Sequence, residues 1–135
     1  MRHALLVLAT AAALASGAHA EAQGLRVVQR LPGFTCMLLK RIPEWTPGQM
    51  PDPRDDVPVR AGPSDAAPVI GTTGATVAVQ DGQRVGDYLR VLRANGEFGW
   101  MRAGDLRPWR SLSAPRTRCF PVLLSNGLPG FSFEH

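Results

Sequence analysis

The sequence predicts an all-β protein, and the evidence for this prediction comes from the middle part of the chain. Residues 57 to 109 contain five short runs of strand-forming residues, separated by turn signals rich in Gly, Pro, Asn and Asp. The pair Asn95-Gly96 stands between two of these runs and predicts a hairpin with a type I′ turn, which needs the positive φ angles that these residues tolerate. Short strands at this spacing are typical of a small barrel or sandwich.

The five predicted strands are, in order, VPVRA (57–61), PVIGT (68–72), ATVAVQ (75–80), DYLRVLRA (87–94) and FGWMRA (98–103). In the fourth strand Leu89 and Val91 alternate with Tyr88 and Arg90, so a period of two places the two pairs on opposite faces. Burying an unpaired arginine is costly, which assigns Leu89 and Val91 to the core face. Tyr88 is therefore expected to be at least partly exposed.

The first twenty residues are expected to be a secretory signal peptide. Arg2 and His3 precede an apolar run over residues 4 to 14, and Ala18-His19-Ala20 supplies a cleavage site of the AxA type. A membrane anchor would need roughly 18 or more apolar residues, and this run is interrupted earlier. We expect a mature chain that is periplasmic or secreted and has no stable membrane insertion.

Two extensions flank the predicted barrel of residues 57 to 109. Residues 21 to 56 begin with strand-like segments and continue as a proline-rich connector that includes Trp45, while residues 110 to 135 form a C-terminal extension. Both extensions are apolar enough to need burial, so we expect them to pair with each other or to lie against the barrel. Trp109 is expected to pack beneath the C-terminal extension, and Trp45 to hold the connector to the barrel.

The cysteines Cys36 and Cys119 are expected to form a disulfide that joins the two extensions. An exported chain meets oxidising conditions, which favour pairing. The alternative is a nucleophilic cysteine, which needs a neighbouring base such as His. Beyond the predicted cleavage site, His135 is the only histidine in the sequence.

Composition argues against several classes of function. Without Arg2 the net charge falls from +4 to +3, a scattered excess that does not indicate nucleic-acid binding. Three acidic residues of the connector, Asp52, Asp55 and Asp56, lack the spacing of a calcium loop. Because a catalytic site needs converging titratable groups, we expect no enzyme activity, no catalytic residues, no metal site and no cofactor.

The middle strands resemble a bacterial SH3 domain. The resemblance covers residues 57 to 109 and rests on VPVRAGPSDAAPVIGTTGATVAV followed by DYLRVLRANGEFGWMRAGDL. It implies a small SH3-like barrel of about five strands, with an exposed loop GPSDAAP beside the ligand. The positions that carry a proline and a second aromatic residue in eukaryotic SH3 domains correspond here to Arg102 and Leu106. The resemblance therefore implies a role in cell-wall, peptide or protein binding rather than recognition of PxxP peptides.

Four residues are candidates for ligand binding: Asp65, Tyr88, Arg90 and Trp100. Exposed aromatic rings beside arginine suit a ligand that has sugar faces and carboxylates. For Asp65 the alternative is a solvated turn residue that caps its own backbone. For Trp100 the alternative is partial burial at the barrel rim.

The expected function is therefore that of an exported binding module without enzyme activity. Its predicted target is peptidoglycan, its stem peptides or another component of the cell envelope. The alternative is a periplasmic interaction or structural module that docks on another envelope protein through its extensions and the edge of the barrel.

Overall fold

The computed structural model describes residues 24–41, 57–111 and 113–135. The predicted signal peptide, most of the proline-rich connector with Trp45, and the three acidic residues of the connector lie outside the described residues. The described ranges contain no helix with the length and hydropathy needed to cross a bilayer.

The described residues form ten β-strands and a short 3₁₀ turn at Ala103–Asp105. The strands are β1 (Val27–Arg30), β2 (Phe34–Leu39), β3 (Val59–Arg60), β4 (Val69–Gly71), β5 (Thr76–Val85), β6 (Tyr88–Leu92), β7 (Phe98–Arg102), β8 (Leu106–Pro108), β9 (Arg118–Leu124) and β10 (Pro129–Glu134). The all-β prediction is confirmed. Each of the five strands predicted in the middle of the chain is present, as β3 to β7, and β5 continues five residues beyond its predicted end.

The strands form two sheets. One has seven strands in the order β4-β3-β7-β6-β5-β2-β8, and the other has three in the order β1-β9-β10. The larger sheet includes β2, which precedes the connector and pairs antiparallel with both β5 and β8. The predicted closure into a barrel is wrong. The edge strands β4 and β8 have only three residues each, and no hydrogen-bonded ladder joins them.

One hydrophobic core lies on the inner face of the seven-stranded sheet. Its centre is formed by Val59, Val91 and Met101, which are fully buried. Leu106 of β8 belongs to the same core, and Ile70 of β4 packs against it. Because residues from both edges of the sheet meet in this core, the open sheet must curl around it. The predicted core face of β6 is confirmed, since Val91 is fully buried and Leu89 packs against the core.

The β6–β7 hairpin is present, but its turn differs from the prediction. The carbonyl of Arg93 accepts from the N–H of Gly96 at 2.9 Å, and the N–H of Arg93 donates to Glu97 at 2.9 Å. Gly96 has a φ of 84°, whereas no described residue other than glycine has a positive φ. A type I′ turn needs a positive φ at Asn95 as well, so that prediction is wrong. The turn is a three-residue loop with Gly96 in the left-handed region.

The two chain extensions pair with each other through β1 and β9, while β2 of the N-terminal extension joins the seven-stranded sheet. In the three-stranded sheet β9 lies between β1 and β10 and pairs antiparallel with both. The disulfide between Cys36 of β2 and Cys119 of β9 is present and joins this sheet to the seven-stranded sheet. Trp109 stacks on Phe133 of β10 with ring centroids 5.4 Å apart, so it contacts the C-terminal extension.

Candidate functional site

The candidate site lies on the outer face of the β6–β7 hairpin, opposite the core. Side chains that are paired directly across two antiparallel strands share a face of the sheet. The outer pairs of this hairpin are Tyr88 with Arg102, Arg90 with Trp100, and Leu92 with Phe98. The sequence therefore presents aromatic and cationic side chains side by side on this face, while the alternate residues fill the core.

A third strand extends this face. Arg60 of β3 is the cross-strand partner of Trp100 on β7, and Arg90 of β6 is its partner on the other side. We call these three residues the arginine–tryptophan row. All three are half-buried. Partial burial of Trp100 agrees with the alternative stated for it above, and leaves part of the indole accessible between two cations.

The side chain of Arg90 is held in place by neutral partners. It donates from Nη1 to Oε1 of Gln80 at 2.9 Å, and its Cζ lies 3.8 Å from the ring centroid of Phe98. Phe98 in turn stacks on Phe34, with ring centroids 6.2 Å apart. Because neither the amide nor the aromatic ring carries a negative charge, Arg90 contributes an unbalanced cation to this face.

Residues 60–63, an Arg-Ala-Gly-Pro corner, begin a closed loop at the end of β3. The N–H of Ala61 donates to the carbonyl of Pro68 at 2.8 Å, which closes the base of the loop. Arg60 donates from Nη1 to the carbonyl of Ala67 at 3.0 Å. Arg60, which belongs to the arginine–tryptophan row, therefore also ties this loop to β3.

Asp65, near the tip of this loop, contacts the predicted site residue Tyr88. Its Oδ1 accepts from the Tyr88 hydroxyl and from Arg102 Nε, the latter at 3.0 Å, and its Oδ2 accepts from Arg102 Nη2. The carboxylate pairs with side chains of the hairpin rather than with its own backbone, while the Asp65 side chain stays 61% exposed. Asp65 instead fastens the loop to the outer face of the hairpin.

Tyr88 is buried, with an exposed fraction of 6%, so its predicted exposure is wrong. The period of two places it on the outer face as expected. That face is covered at this point, because the Asp65 loop reaches the hydroxyl and the guanidinium carbon of Arg102 lies 6.0 Å from the ring centroid. Hydrogen bonding satisfies the hydroxyl, which would be costly to bury without a partner.

The structure brings the four predicted site residues onto one face but divides them into two groups. Arg90 and Trp100 belong to the arginine–tryptophan row, whereas Asp65 and Tyr88 belong to a cluster with Arg102. The site hypothesis did not include Arg60 or Arg102. Arg102 follows Trp100 by two residues in a predicted strand, so the period of two could have placed it on the same face. No sequence signal reports the pairing of Arg60 with Trp100, because that register is a tertiary feature.

The electrostatics of this cluster predict that its contribution to the stability of the folded state is lost at acidic pH. The hydrogen bond from Tyr88, followed by the bonds from Arg102, lowers the pKa of Asp65 below its usual range. A lowered carboxyl pKa stabilises the folded state at pH values above the pKa of the unfolded chain. This contribution is lost as the pH falls through the lowered pKa of the folded state.

We expect the Asp65→Asn variant to have a lower melting temperature than the wild type near neutral pH. The difference should begin to shrink as the pH falls below about 4, and it should vanish only below the lowered pKa of Asp65 in the folded state. The reason is that a protonated aspartate resembles asparagine and no longer attracts Arg102 as an anion. Thermal unfolding followed by circular dichroism over a pH series measures the difference. A difference in melting temperature that stays constant from neutral to acidic pH would contradict this account.

A shallow cleft of about 510 Å³ lies elsewhere, between the two sheets beside the disulfide. Its lining comes from β2, from the Pro108-Trp109 segment and from residues 117–121. Within the described part of the chain, no group of three His, Cys, Asp or Glu residues could hold a metal ion.

Comparisons with protein-family models, with curated proteins and with solved structures find no match for this chain.

Proposed function

We propose that this chain is an exported binding module without enzyme activity that recognises peptidoglycan or its stem peptides in the periplasm or outside the cell. The observation that supports it most is the arginine–tryptophan row, in which a partly accessible indole lies between two guanidinium groups on adjacent strands. Aromatic rings pack on the apolar faces of sugars, and arginine pairs with carboxylates. A polymer of sugars with carboxylate-bearing peptides offers both partners.

Two further features support this proposal. The disulfide is typical of proteins that fold outside the reducing cytoplasm. The residues that resemble a bacterial SH3 domain include Arg60 and Trp100 of the row. The same resemblance implies a ligand beside the loop that Asp65 fastens.

We expect the Trp100→Ala variant to lose roughly 30-fold in affinity for purified peptidoglycan, the scale of a central aromatic anchor worth about 2 kcal/mol. Cosedimentation with insoluble peptidoglycan measures the bound fraction as a function of polymer concentration. Trp109→Ala is the matched control, because it removes a half-buried tryptophan that lies outside the row. Equal losses in the two variants, at equal thermal stability, would contradict the role of Trp100.

A docking module for another envelope protein is the second candidate. It is favoured by the exposed fractions of Leu25, Val27 and Val28, which are 60%, 50% and 60%. Val27 and Val28 belong to β1, which is an edge strand of the smaller sheet. The free backbone N–H and C=O groups of an edge strand can pair with a strand of another protein. This candidate predicts that the chain does not cosediment with peptidoglycan and that a pull-down recovers one specific protein. Replacing Val28 by a charged residue should reduce binding of that protein.

A further inference from the structure

Arg102 and Tyr88 bind a carboxylate of the protein itself, that of Asp65. Arg102 approaches Asp65 with Nε and Nη2, one on each carboxylate oxygen, and the Tyr88 hydroxyl donates to the oxygen that also accepts from Nε. This is the bidentate geometry with which arginine recognises carboxylates in general. A hydroxyl and a guanidinium group therefore converge on one anionic position on the outer face.

The donors and the acceptor of this arrangement differ in how firmly they are held. Tyr88 and Arg102 are cross-strand partners at the open end of the β6–β7 hairpin, so the sheet fixes the distance between their backbones. Asp65 lies on a loop whose residues 63–66 are all exposed. The side chains of Asp65 and Arg102 are 61% and 54% exposed, and water screens an ion pair of this kind. The carboxylate can therefore be exchanged while its receptor stays in place.

The positive charges around the Asp65 carboxylate exceed the single negative charge that it supplies. Arg60, Arg90 and Arg102 all lie on the outer face. Among the described residues Arg60 and Arg90 bond to neutral groups, a backbone carbonyl and an amide. Only Arg102 of these three pairs with a carboxylate in the described structure. A ligand that brings two carboxylates would balance this face better than Asp65 alone does.

We propose that Arg102 and Tyr88 form a carboxylate receptor that Asp65 occupies in the free protein, and that an acidic peptide with two carboxylates displaces Asp65 and binds across to the arginine–tryptophan row. The two groups are neighbours. Arg102 and Trp100 are two residues apart on β7, a separation of about 7 Å along the strand. The inference rests on the proposed function, because it makes the row and the receptor parts of one binding face.

The test uses the mature chain and the dipeptide acetyl-Ala-Glu, which carries two carboxylates, with the corresponding diamide as a probe that has none. We expect Asp65→Asn to bind the diacid at least about tenfold more tightly than the wild type, because no internal carboxylate competes. Chemical shifts of the arginine Nε–Hε groups in NMR titrations give the affinity and show whether Arg102 is the group that responds. The diamide should bind neither protein.

Two further variants make the result specific. Glu97→Gln removes an exposed carboxylate that pairs with the largely buried Arg93 at the opposite end of the same hairpin, and it should give no gain. Adding Arg102→Gln to Asp65→Asn should abolish the gain. Equal affinities of Asp65→Asn and the wild type, a gain of the same size in Glu97→Gln, or a gain that survives without Arg102 would each overturn the receptor. If Asp65→Asn does not fold, Asp65→Ala replaces it under the same criteria.

Failure of this inference is distinguishable from failure of the proposed function. If Trp100→Ala weakens sedimentation with peptidoglycan as expected but Asp65→Asn gains no affinity for the diacid, the receptor is wrong and the peptidoglycan target stands. If the diacid result holds without any sedimentation, the receptor stands and the target is a different acidic peptide.

Discussion

Replacing Cys36 and Cys119 together by alanine is expected to lower the free energy of unfolding by about 4 kcal/mol, the largest effect of any change considered for this chain. The bridge closes a loop with a sequence separation of 83 residues. In the chain-entropy account of disulfides, opening a loop of this size restores roughly that much conformational freedom to the unfolded state. Urea unfolding of the wild type and the double variant, compared at matched slopes, measures the loss.

The bridge also has a local role, because it joins β2 of the larger sheet to β9 of the smaller one. We therefore expect amide hydrogen exchange in the double variant to rise more in β1, β9 and β10 than in the β6–β7 hairpin. Reduction of the wild type is the control, since it opens the same loop without removing a sulfur atom. A double variant whose free energy of unfolding lies within about 1 kcal/mol of the wild-type value would contradict the expected role of the bridge.

Features of this fold that depend on local chemistry were predictable from the sequence. The β6–β7 hairpin follows from two strand-forming runs around Asn95-Gly96. The disulfide follows from two cysteines in a chain for which the sequence predicts an export signal. The faces of β6 follow from a period of two, because Leu89 and Val91 could fill a core and Arg90 could not. Each of these inferences uses residues close in sequence or a property of the whole chain.

The turn type was not predictable from the same dipeptide. Asn-Gly serves both in two-residue turns and in three-residue loops that end with glycine in the left-handed region. The register of the flanking strands selects between them. Here the core pairs Leu89 with Met101 and Val91 with Gly99, which leaves Ala94, Asn95 and Gly96 in the loop. The loop between β9 and β10 has the same pattern, with Gly127 at a φ of 80°.

The burial of Tyr88 depends on contacts that lie far away in sequence. Its hydroxyl partner Asp65 is 23 residues distant, and the loop that carries Asp65 reaches Tyr88 only because β3 pairs with β7. A pattern within β6 reports which face a side chain is on, but not what covers that face. The same limit applies to the barrel, whose closure would depend on pairing between β4 and β8, the two ends of the sheet order.

Gly99→Val is expected to lower the free energy of unfolding by about 2 to 3 kcal/mol and to disturb the arginine–tryptophan row at the same time. A glycine inside a strand often marks a close approach of another chain segment. A Cβ atom at Gly99 would overlap Val59 Cγ1 and would lie 3.2 Å from Ile70 Cδ1 and 3.3 Å from the carbonyl oxygen of Arg60. Val59 is fully buried, so it has no free space into which it could move. The strand β3 must therefore shift away from β7, although valine itself favours strand geometry.

Because Arg60 pairs with Trp100 across these same two strands, the shift should also weaken binding to the outer face. Urea unfolding and peptidoglycan cosedimentation together measure the two effects. Gly74→Ala is the control for the loss of glycine, since a Cβ atom there meets nothing within 4 Å. Its stability should stay within about 0.5 kcal/mol of the wild type. A Gly99→Val protein as stable as the Gly74→Ala protein would show that β3 and β7 are not packed as closely as the structure places them, and the geometry of the row would then have to be abandoned.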